Sequence, residues 1–208
     1  MQIEVVTADG KKIEAPFLLR IVGWTEERYF AEAPEDQIWE FEEGEIVIHS
    51  PVSSLHQRIV RFLTFLINGY VEERELGEVF NGPAVLRLRE GVDKEPDIFF
   101  VSKARRESIK TMYIEGPVDM VIEVSSSGTL SYDLEEKSQV YRECGIKEYW
   151  VVDQERRRII IFSDEKEKRE EKEEGRIYSE AITGFWIKTE WLWQEPMPGA
   201  LACLREIL

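Results

Sequence analysis

The chain has 208 residues, of which 43% are hydrophobic and 33% are charged, and its formal net charge at pH 7 is -15. This length allows one well-buried core, and this composition excludes a disordered chain. No apolar run approaches the ~20 residues that a membrane-spanning helix needs, so we expect no association with a membrane.

The negative charge is concentrated at the start of the chain, where residues 1–50 carry 4 Lys and Arg against 12 Asp and Glu. No quarter of the sequence is basic. A protein that binds duplex DNA without a partner normally has a positively charged face, so the net negative charge argues against such binding. Two local clusters soften that argument, namely Lys103, Arg105, Arg106 and Lys110, and the run Arg156, Arg157 and Arg158.

The expected compartment is the cytoplasm. The first residues lack the basic start and the apolar block of a signal peptide. Cys144 and Cys203 lie far apart in no metal-ligand spacing, which indicates ordinary reduced thiols.

Two hairpins are predicted near the amino terminus. The first covers residues 3–15, with Asp9-Gly10 as a two-residue turn. The second covers residues 37–50, in which apolar residues alternate on both sides of Glu43-Gly44. Between the hairpins, Thr25 is expected to cap a short helix that runs through Ala33.

A long amphipathic helix is predicted next, capped by Ser53 or Ser54 and ended by Gly77. Three strand candidates follow, at residues 78–89, 97–101 and 118–124. The last two are almost wholly apolar, which is typical of central strands buried on both faces.

A second helix is predicted from Asp133 to Cys144, with Gly145 closing it. It leads into a buried strand at 148–153, which should run parallel to 118–124 in a right-handed crossover and pair with 156–162. Residues 163–176 are so rich in charge that we expect a solvated helix or loop. The aromatic residues of the tail are expected to cover the core.

We therefore predict one α/β domain over residues 1–208. Its core order is helix, three strands, helix and strand around a central mixed sheet, with the hairpins added at the amino terminus.

Two carboxylates mark a candidate site. Asp97 opens one apolar strand and Glu123 lies inside the next, where a buried ionised carboxylate is costly unless it is paired or binds a metal. Together they would form a site for Mg²⁺ or Mn²⁺, which prefer oxygen ligands. Alone, Asp97 could cap a turn, and Glu123 could pair only with Lys137.

Lys137 is the third candidate. If Asp133 caps the second helix, Lys137 lies in its first turn, within reach of both carboxylates. A lysine there can orient water and stabilise charge that develops on a phosphate. The alternative is a surface lysine paired with Asp133 at four-residue spacing.

Several segments of the chain resemble the successive blocks of the Uma-type family, which is described as putative restriction endonucleases of bacteria. They are EPDIFFV, VIEVSSSGT, DLEEKSQVY and GIKEYWVVD, together with WEFEEGEIVIHSP, SSLHQ and TGFWIKTEWLW. The similarity covers roughly residues 25–208. The family is assigned to the PD-(D/E)XK nuclease superfamily, whose core has the same order of helices and strands.

The resemblance implies a role for each matching residue. Asp97 matches the aspartate of the PD element, and Glu123 matches the acid of the (D/E)XK element. The lysine expected two residues later is replaced by Ser125, which implies that Lys137 has taken its place. Glu40 matches an acidic residue of the opening block and is a candidate third metal ligand, or only an exposed strand glutamate. His56 matches a histidine of that block and is left outside the core site.

These features favour a Mg²⁺- or Mn²⁺-dependent nuclease with DNA as its substrate. The alternative is a catalytically inactive nuclease-fold module that binds nucleic acid or regulates a larger complex, which the acidic charge and Ser125 favour. Nucleases that cut both strands often act as symmetric homodimers, and the aromatic tail could form such a surface or belong to the core.

Overall fold

The computed structural model describes residues 17–34, 37–163 and 168–208. Its first elements are β1 (Leu18–Val22), α1 (Glu26–Glu32), β2 (Trp39–Glu42), β3 (Glu45–His49) and α2 (Ser54–Glu73). Six strands follow, namely β4 (Gly77–Asn81), β5 (Leu86–Arg89), β6 (Val92–Lys94), β7 (Ile98–Ser102), β8 (Ile114–Glu115) and β9 (Met120–Ser125). The rest comprises α3 (Leu130–Tyr132), α4 (Ser138–Glu143), β10 (Glu148–Asp153), β11 (Arg158–Ser163), β12 (Lys168–Lys172), β13 (Arg176–Tyr178), β14 (Trp186–Lys188) and α5 (Ala200–Ile207).

The central sheet has six strands in the order β12-β11-β10-β9-β7-β4. Strands β9 and β10 are parallel, whereas β9 pairs antiparallel with β7 and β10 pairs antiparallel with β11. The predicted parallel connection through the second helix is therefore confirmed, and so is the mixed sheet of the predicted core.

Both faces of this sheet are buried, because alternate residues of its central strands enter two different hydrophobic clusters. Ile122 and Val124 belong to the cluster that includes α2, whereas Val121 packs in the cluster that includes Tyr141 of α4. This alternation explains why β7 and β9 consist mostly of apolar residues on both of their faces. A polar residue such as Glu123 in β9 must consequently find a partner inside the protein.

Helix α2 begins as expected, with Ser53 as its N-cap accepting a hydrogen bond from the backbone N–H of His56. Its end differs from the prediction. The C-cap is Arg74, and Glu75 takes the left-handed conformation with φ of 51°. Gly77 is already in β4, where a Cβ atom would lie 2.1 Å from the carbonyl oxygen of Val101. Gly77 is thus required for strand packing, and it does not end the helix.

The second sheet has the order β1-β3-β2-β6-β5-β8. It contains the predicted hairpin at 37–50, whose strands β2 and β3 pair antiparallel. Thr25 caps α1 as predicted, through a bond from the backbone N–H of Arg28. The hairpin predicted at residues 3–15 lies outside the described residues.

Two predicted elements are wrong. The strand expected at 78–89 is two strands, with Gly82 and Pro83 between them, and β4 and β5 join different sheets. In the charged segment 163–176, residues 168–172 form β12, which pairs antiparallel with β11. The backbone of these residues pairs with β11 although their side chains are charged. Charged side chains are common on edge strands because they discourage pairing with a further strand.

The carboxyl-terminal segment covers the face of the central sheet next to α2, as predicted. Phe185, Trp186 and Trp191 are buried in the same cluster as Leu63 and Trp150. The aromatic tail is therefore core and not an exposed dimer surface. Among the described helices, none is long and apolar enough to cross a membrane.

Candidate active site

The strand register brings Asp97 and Glu123 together. Strands β7 and β9 pair antiparallel with Ile98 opposite Ile122, and Asp97 directly precedes Ile98 whereas Glu123 directly follows Ile122. Both residues line one cavity with a volume of about 550 Å³, which Lys137 and Asp133 also line.

Asp97 is held by two hydrogen bonds to Oδ2. The backbone N–H of Val124 donates one at 2.7 Å, and Nε2 of His56 lies 3.1 Å away. His56 is buried in the first turn of α2, and its Nδ1 has no hydrogen-bond partner. The sequence predicts the helix position of His56 and its match to a histidine of the family, but not its contact with Asp97.

Lys137 connects the carboxylates of two sheets. Its ammonium lies 2.8 Å from Oε1 of Glu123 in β9 and 2.8 Å from Oε1 of Glu40 in β2. The side chain of Lys137 is 1% exposed, so the alternative of a surface lysine is wrong. The pairing of Glu123 with Lys137 is real, and it lies at the wall of the cavity that also holds Asp97.

The helix that carries Lys137 differs from the prediction. It starts at Leu130 in α3, and Asp133–Lys137 forms a π-helical turn before α4. Asp133 is therefore not the N-cap; its carboxylate accepts a hydrogen bond from Ser125 Oγ at 2.7 Å. Asp133 lies 3.8 Å from the Lys137 ammonium, so Ser125 and Asp133 connect β9 to the turn. Single π-helical turns within α-helices are frequent at functional sites.

Buried tyrosines hold the two glutamates. Tyr141 donates a hydrogen bond to Oε1 of Glu123 at 2.8 Å, and Tyr132 donates to Oε2 of Glu40 at 3.0 Å. Lys94, which is fully buried, donates to the Tyr132 oxygen at 2.9 Å. The carboxylates are thus fixed by neighbours from other segments of the chain, of which Tyr132 and Lys94 were not predicted.

Burial and neighbouring charges shift the pKa values of Glu40, Glu123 and Lys137 in different directions. Burial opposes ionisation of Glu40, but Lys137, Lys94 and His49 outweigh it and hold its pKa well below the usual range. For Glu123, burial outweighs the opposing effect of Lys137 and raises the pKa to about 8. Burial would lower the pKa of Lys137, but Glu123 and Glu40 raise it well above its usual value. Lys137 is therefore a permanent cation at neutral pH.

A further acid lines the cavity without having been predicted. Glu95 accepts a hydrogen bond from the Tyr29 hydroxyl at 3.0 Å, and its Oε2 is buried with no partner. Burial raises the pKa of Glu95 to about 8, and the nearby charge of Glu40 adds to the rise. The cavity wall thus contains two carboxyl groups, Glu95 and Glu123, that resist ionisation in the absence of a further cation.

The donor atoms of the site suit a hard divalent cation. The hydrogen bonds described above use Oδ2 of Asp97 and Oε1 of Glu123, so Oδ1 and Oε2 are the oxygens that would bind a metal. Mg²⁺ typically takes one or two carboxylates and completes its shell with water and substrate phosphate. Across residues 17–34, 37–163 and 168–208, no group of three or more His, Cys, Asp or Glu side chains is arranged to hold a metal. Both oxygens of Glu40 contact Lys137, Tyr132 or His49, and Glu40 does not line the cavity.

The first basic cluster is neutralised by ion pairs. Lys103, Arg105, Arg106 and Lys110 lie 3.3–3.5 Å from Glu75, Asp119, Glu78 and Glu115, respectively. In the second cluster, Arg156 and Arg158 both pair with Asp153. Neither cluster is the open positive face that binding to a DNA duplex would need.

Comparison with known proteins agrees with this architecture. The family model Uma2, described as "Putative restriction endonuclease", matches residues 26–190. A crystal structure of "a putative nuclease belonging to DUF820" from Anabaena variabilis ATCC 29413 is similar, with a TM-score of 0.68 and 14% sequence identity. The alignment covers 82% of this chain and 97% of that one, and at this identity it supports the fold alone. No curated protein matches the chain. Because the family model matches most of the sequence, this chain belongs to the Uma2 family of putative restriction endonucleases.

Proposed function

We propose that the protein is a Mg²⁺- or Mn²⁺-dependent nuclease that hydrolyses phosphodiester bonds in DNA. The observation that carries the proposal is the convergence of Asp97, Glu123 and the Lys137 ammonium on one cavity. Membership of the Uma2 family supports the same reaction class.

Asp97 and Glu123 are the proposed metal ligands, through Oδ1 and Oε2. A divalent cation bound there would polarise the phosphate and lower the pKa of a bound water. The backbone N–H of Val124 and the His56 ring fix Asp97, while Tyr141 and Lys137 fix Glu123. Both acids are therefore held in position before substrate binds.

Lys137 is proposed to stabilise negative charge on the phosphate. Its raised pKa keeps it protonated, so it acts as a fixed positive charge and not as a general base. Glu40, which the family resemblance made a candidate metal ligand, is proposed instead to orient Lys137. Its contact with the ammonium and its complete burial support that role.

A second candidate is a nuclease-fold module that binds without cutting. Lys137 forms ion pairs with two carboxylates. The ion pairs of the basic clusters weaken any binding of this chain alone to duplex DNA. In this alternative the buried network only stabilises the fold. As to compartment, we propose the cytoplasm, since Cys144 and Cys203 are both free thiols.

Cleavage assays distinguish the two candidates. Wild type and Asp97→Asn are incubated with plasmid DNA, single-stranded DNA and RNA, in EDTA, Mg²⁺ or Mn²⁺. We expect metal-dependent cleavage by wild type, no cleavage in EDTA, and loss of cleavage in the variant. Absence of cleavage of every substrate with either metal would favour the binding module.

A further inference from the structure

We propose that the cavity beside Asp97 and Glu123 accommodates one unpaired nucleotide, so that the protein binds single-stranded nucleic acid in preference to an intact duplex. The inference deepens the proposed function by naming its substrate class, and it rests on that function for its catalytic meaning. The binding that it predicts can be measured without cleavage.

Asp97 and Glu123 lie at the cavity with little of their side chains exposed. The side chain of Glu123 is 6% exposed and that of Asp97 is 12% exposed, so a reacting phosphate must enter the cavity to reach them. The cavity has a volume of about 550 Å³, which lies within the range of small-molecule sites. A paired base is stacked and cannot follow its phosphate inward, whereas an unpaired nucleotide can be splayed into such a pocket.

The wall of the cavity combines apolar side chains with imidazole rings. Besides the acids and Lys137, the cavity is lined by apolar side chains, namely Ile38, Pro51, Val52, Leu55 and Val124. The imidazoles of His49 and His56 also line it. Apolar surface and imidazole rings suit the face of an unstacked base, which needs no sequence-specific hydrogen bond to bind there.

The basic residues of the first cluster lie far from the acids of the site. Asp97 precedes β7, whereas Lys103 follows its other end, so the first basic cluster lies a strand length away from the acids. A strand of that length spans about 17 Å, too far for those residues to hold the reacting phosphate. Besides Lys137, basic residues close to the cavity along the chain are Arg156 and Arg157 of the β10–β11 turn, where Gln154 and Glu155 line the cavity.

A small cavity followed along the chain by exposed arginines suits a flexible strand better than a duplex. Arg156 and Arg157 are exposed and follow Glu155 of the cavity wall, but Arg156 lies 3.6 Å from Asp153. Arg157 is therefore the residue that we assign to the phosphate next to the bound nucleotide. Duplex binding relies on many simultaneous phosphate contacts, and the ion pairs of the first cluster remove the residues that would supply them.

The test is a set of fluorescence anisotropy titrations of the full chain. The probes are a labelled single-stranded oligothymidine, a blunt DNA hairpin, and the same hairpin with an unpaired 3′ overhang. They are titrated at low ionic strength with Ca²⁺ in place of Mg²⁺, and gels after each titration verify that the probes are intact. We expect the single strand and the overhang hairpin to bind about tenfold or more tightly than the blunt hairpin, which is the order of one base-stacking contact.

A charge placed at the cavity provides the location control. Val52 lines the cavity and is 40% exposed, whereas Val22 is 70% exposed in β1 and lies outside it. Val52→Asp and Val22→Asp change the net charge equally. We expect only the first to weaken single-strand binding, by about tenfold, because its carboxylate repels a phosphate inside the cavity.

Three results would overturn the inference: equal affinity for the single strand and the blunt hairpin, equal effects of the two aspartates, or binding of none of the probes. Failure of the nuclease proposal looks different. A protein that binds single strands through the cavity but cuts no substrate with Mg²⁺ or Mn²⁺ would keep the binding inference and refute the enzymatic one.

Discussion

Oε1 of Glu123 lies 2.8 Å from the ammonium of Lys137, which is almost completely buried and contacts Glu40 on its other side. One cation thus satisfies an acid from each of the two six-stranded sheets. The same cation is the charge that we assign to the reacting phosphate, so Lys137 is expected to serve both stability and reaction rate.

Replacing Lys137 should separate these two roles. Lys137→Met keeps the length of the stem and removes the charge, and it should lower the cleavage rate by about 10²-fold or more. It should also destabilise the fold by about 3–5 kcal/mol, because two buried carboxylates lose their partner. Single-turnover cleavage, corrected for the folded fraction, and urea unfolding measure the two effects.

Glu40→Gln, added to Lys137→Met, removes one of the unpaired buried charges. The double variant should therefore recover part of the stability and none of the rate. The exposed Lys147→Met is the control and should change neither. If Lys137→Met cuts as fast as wild type, Lys137 has only a structural role.

His56 should act through Asp97. Its Nε2 lies 3.1 Å from Oδ2 of Asp97, and groups that orient a metal ligand typically change metal affinity by 10–100-fold. His56→Leu is expected to weaken Mn²⁺ binding within about that range, whereas His56→Gln, which retains a donor, should recover part of it. Isothermal titration calorimetry measures the Mn²⁺ affinity of each protein. Equal affinity of the leucine variant and wild type would refute the positioning role.

Stability should fall as the pH rises from about 5 to 8. Burial raises the pKa of Glu95 and of Glu123 to about 8, while an unfolded glutamate releases its proton near about 4.3. In this interval the native state binds more protons than the unfolded state, so the free energy of unfolding decreases with pH. The maximum slope for one such group is about 1.4 kcal/mol per pH unit.

Glu95→Gln should reduce that slope, because it keeps the acceptor for Tyr29 and removes the titrating group. Chemical unfolding over the same interval measures it. The variant should gain stability relative to wild type as the pH rises, and an unchanged slope would contradict the account.

The sequence predicts the strands and the acids of this site better than it predicts the contacts of those acids. Glu123 within an apolar run and Asp97 at the start of another are visible without a structure, because strand periodicity makes a buried acid conspicuous. The parallel crossover follows from the general handedness of strand–helix–strand units.

The contacts of the site residues depend on packing between segments that are distant in the sequence. The contacts of Lys137 with Glu40, and of His56 with Asp97, arise only when the second sheet and α2 pack against the central sheet. The π-helical turn at Asp133–Lys137 has no signal in the periodicity. Strand β12 was not predicted, because its charged residues lack the apolar alternation of a strand although its backbone pairs with β11.

The proposed nuclease activity requires that Asp97 and Glu123 hold a divalent metal. This requirement is tested by Mn²⁺ binding to wild type, Asp97→Asn, Glu123→Gln and Glu40→Gln, measured by calorimetry or electron paramagnetic resonance. We predict one Mn²⁺ per wild-type chain, binding at least about tenfold weaker in the first two variants, and a smaller change in Glu40→Gln, since Glu40 contacts Lys137 and not the cavity. Undiminished Mn²⁺ binding by the folded Asp97→Asn protein would contradict the account.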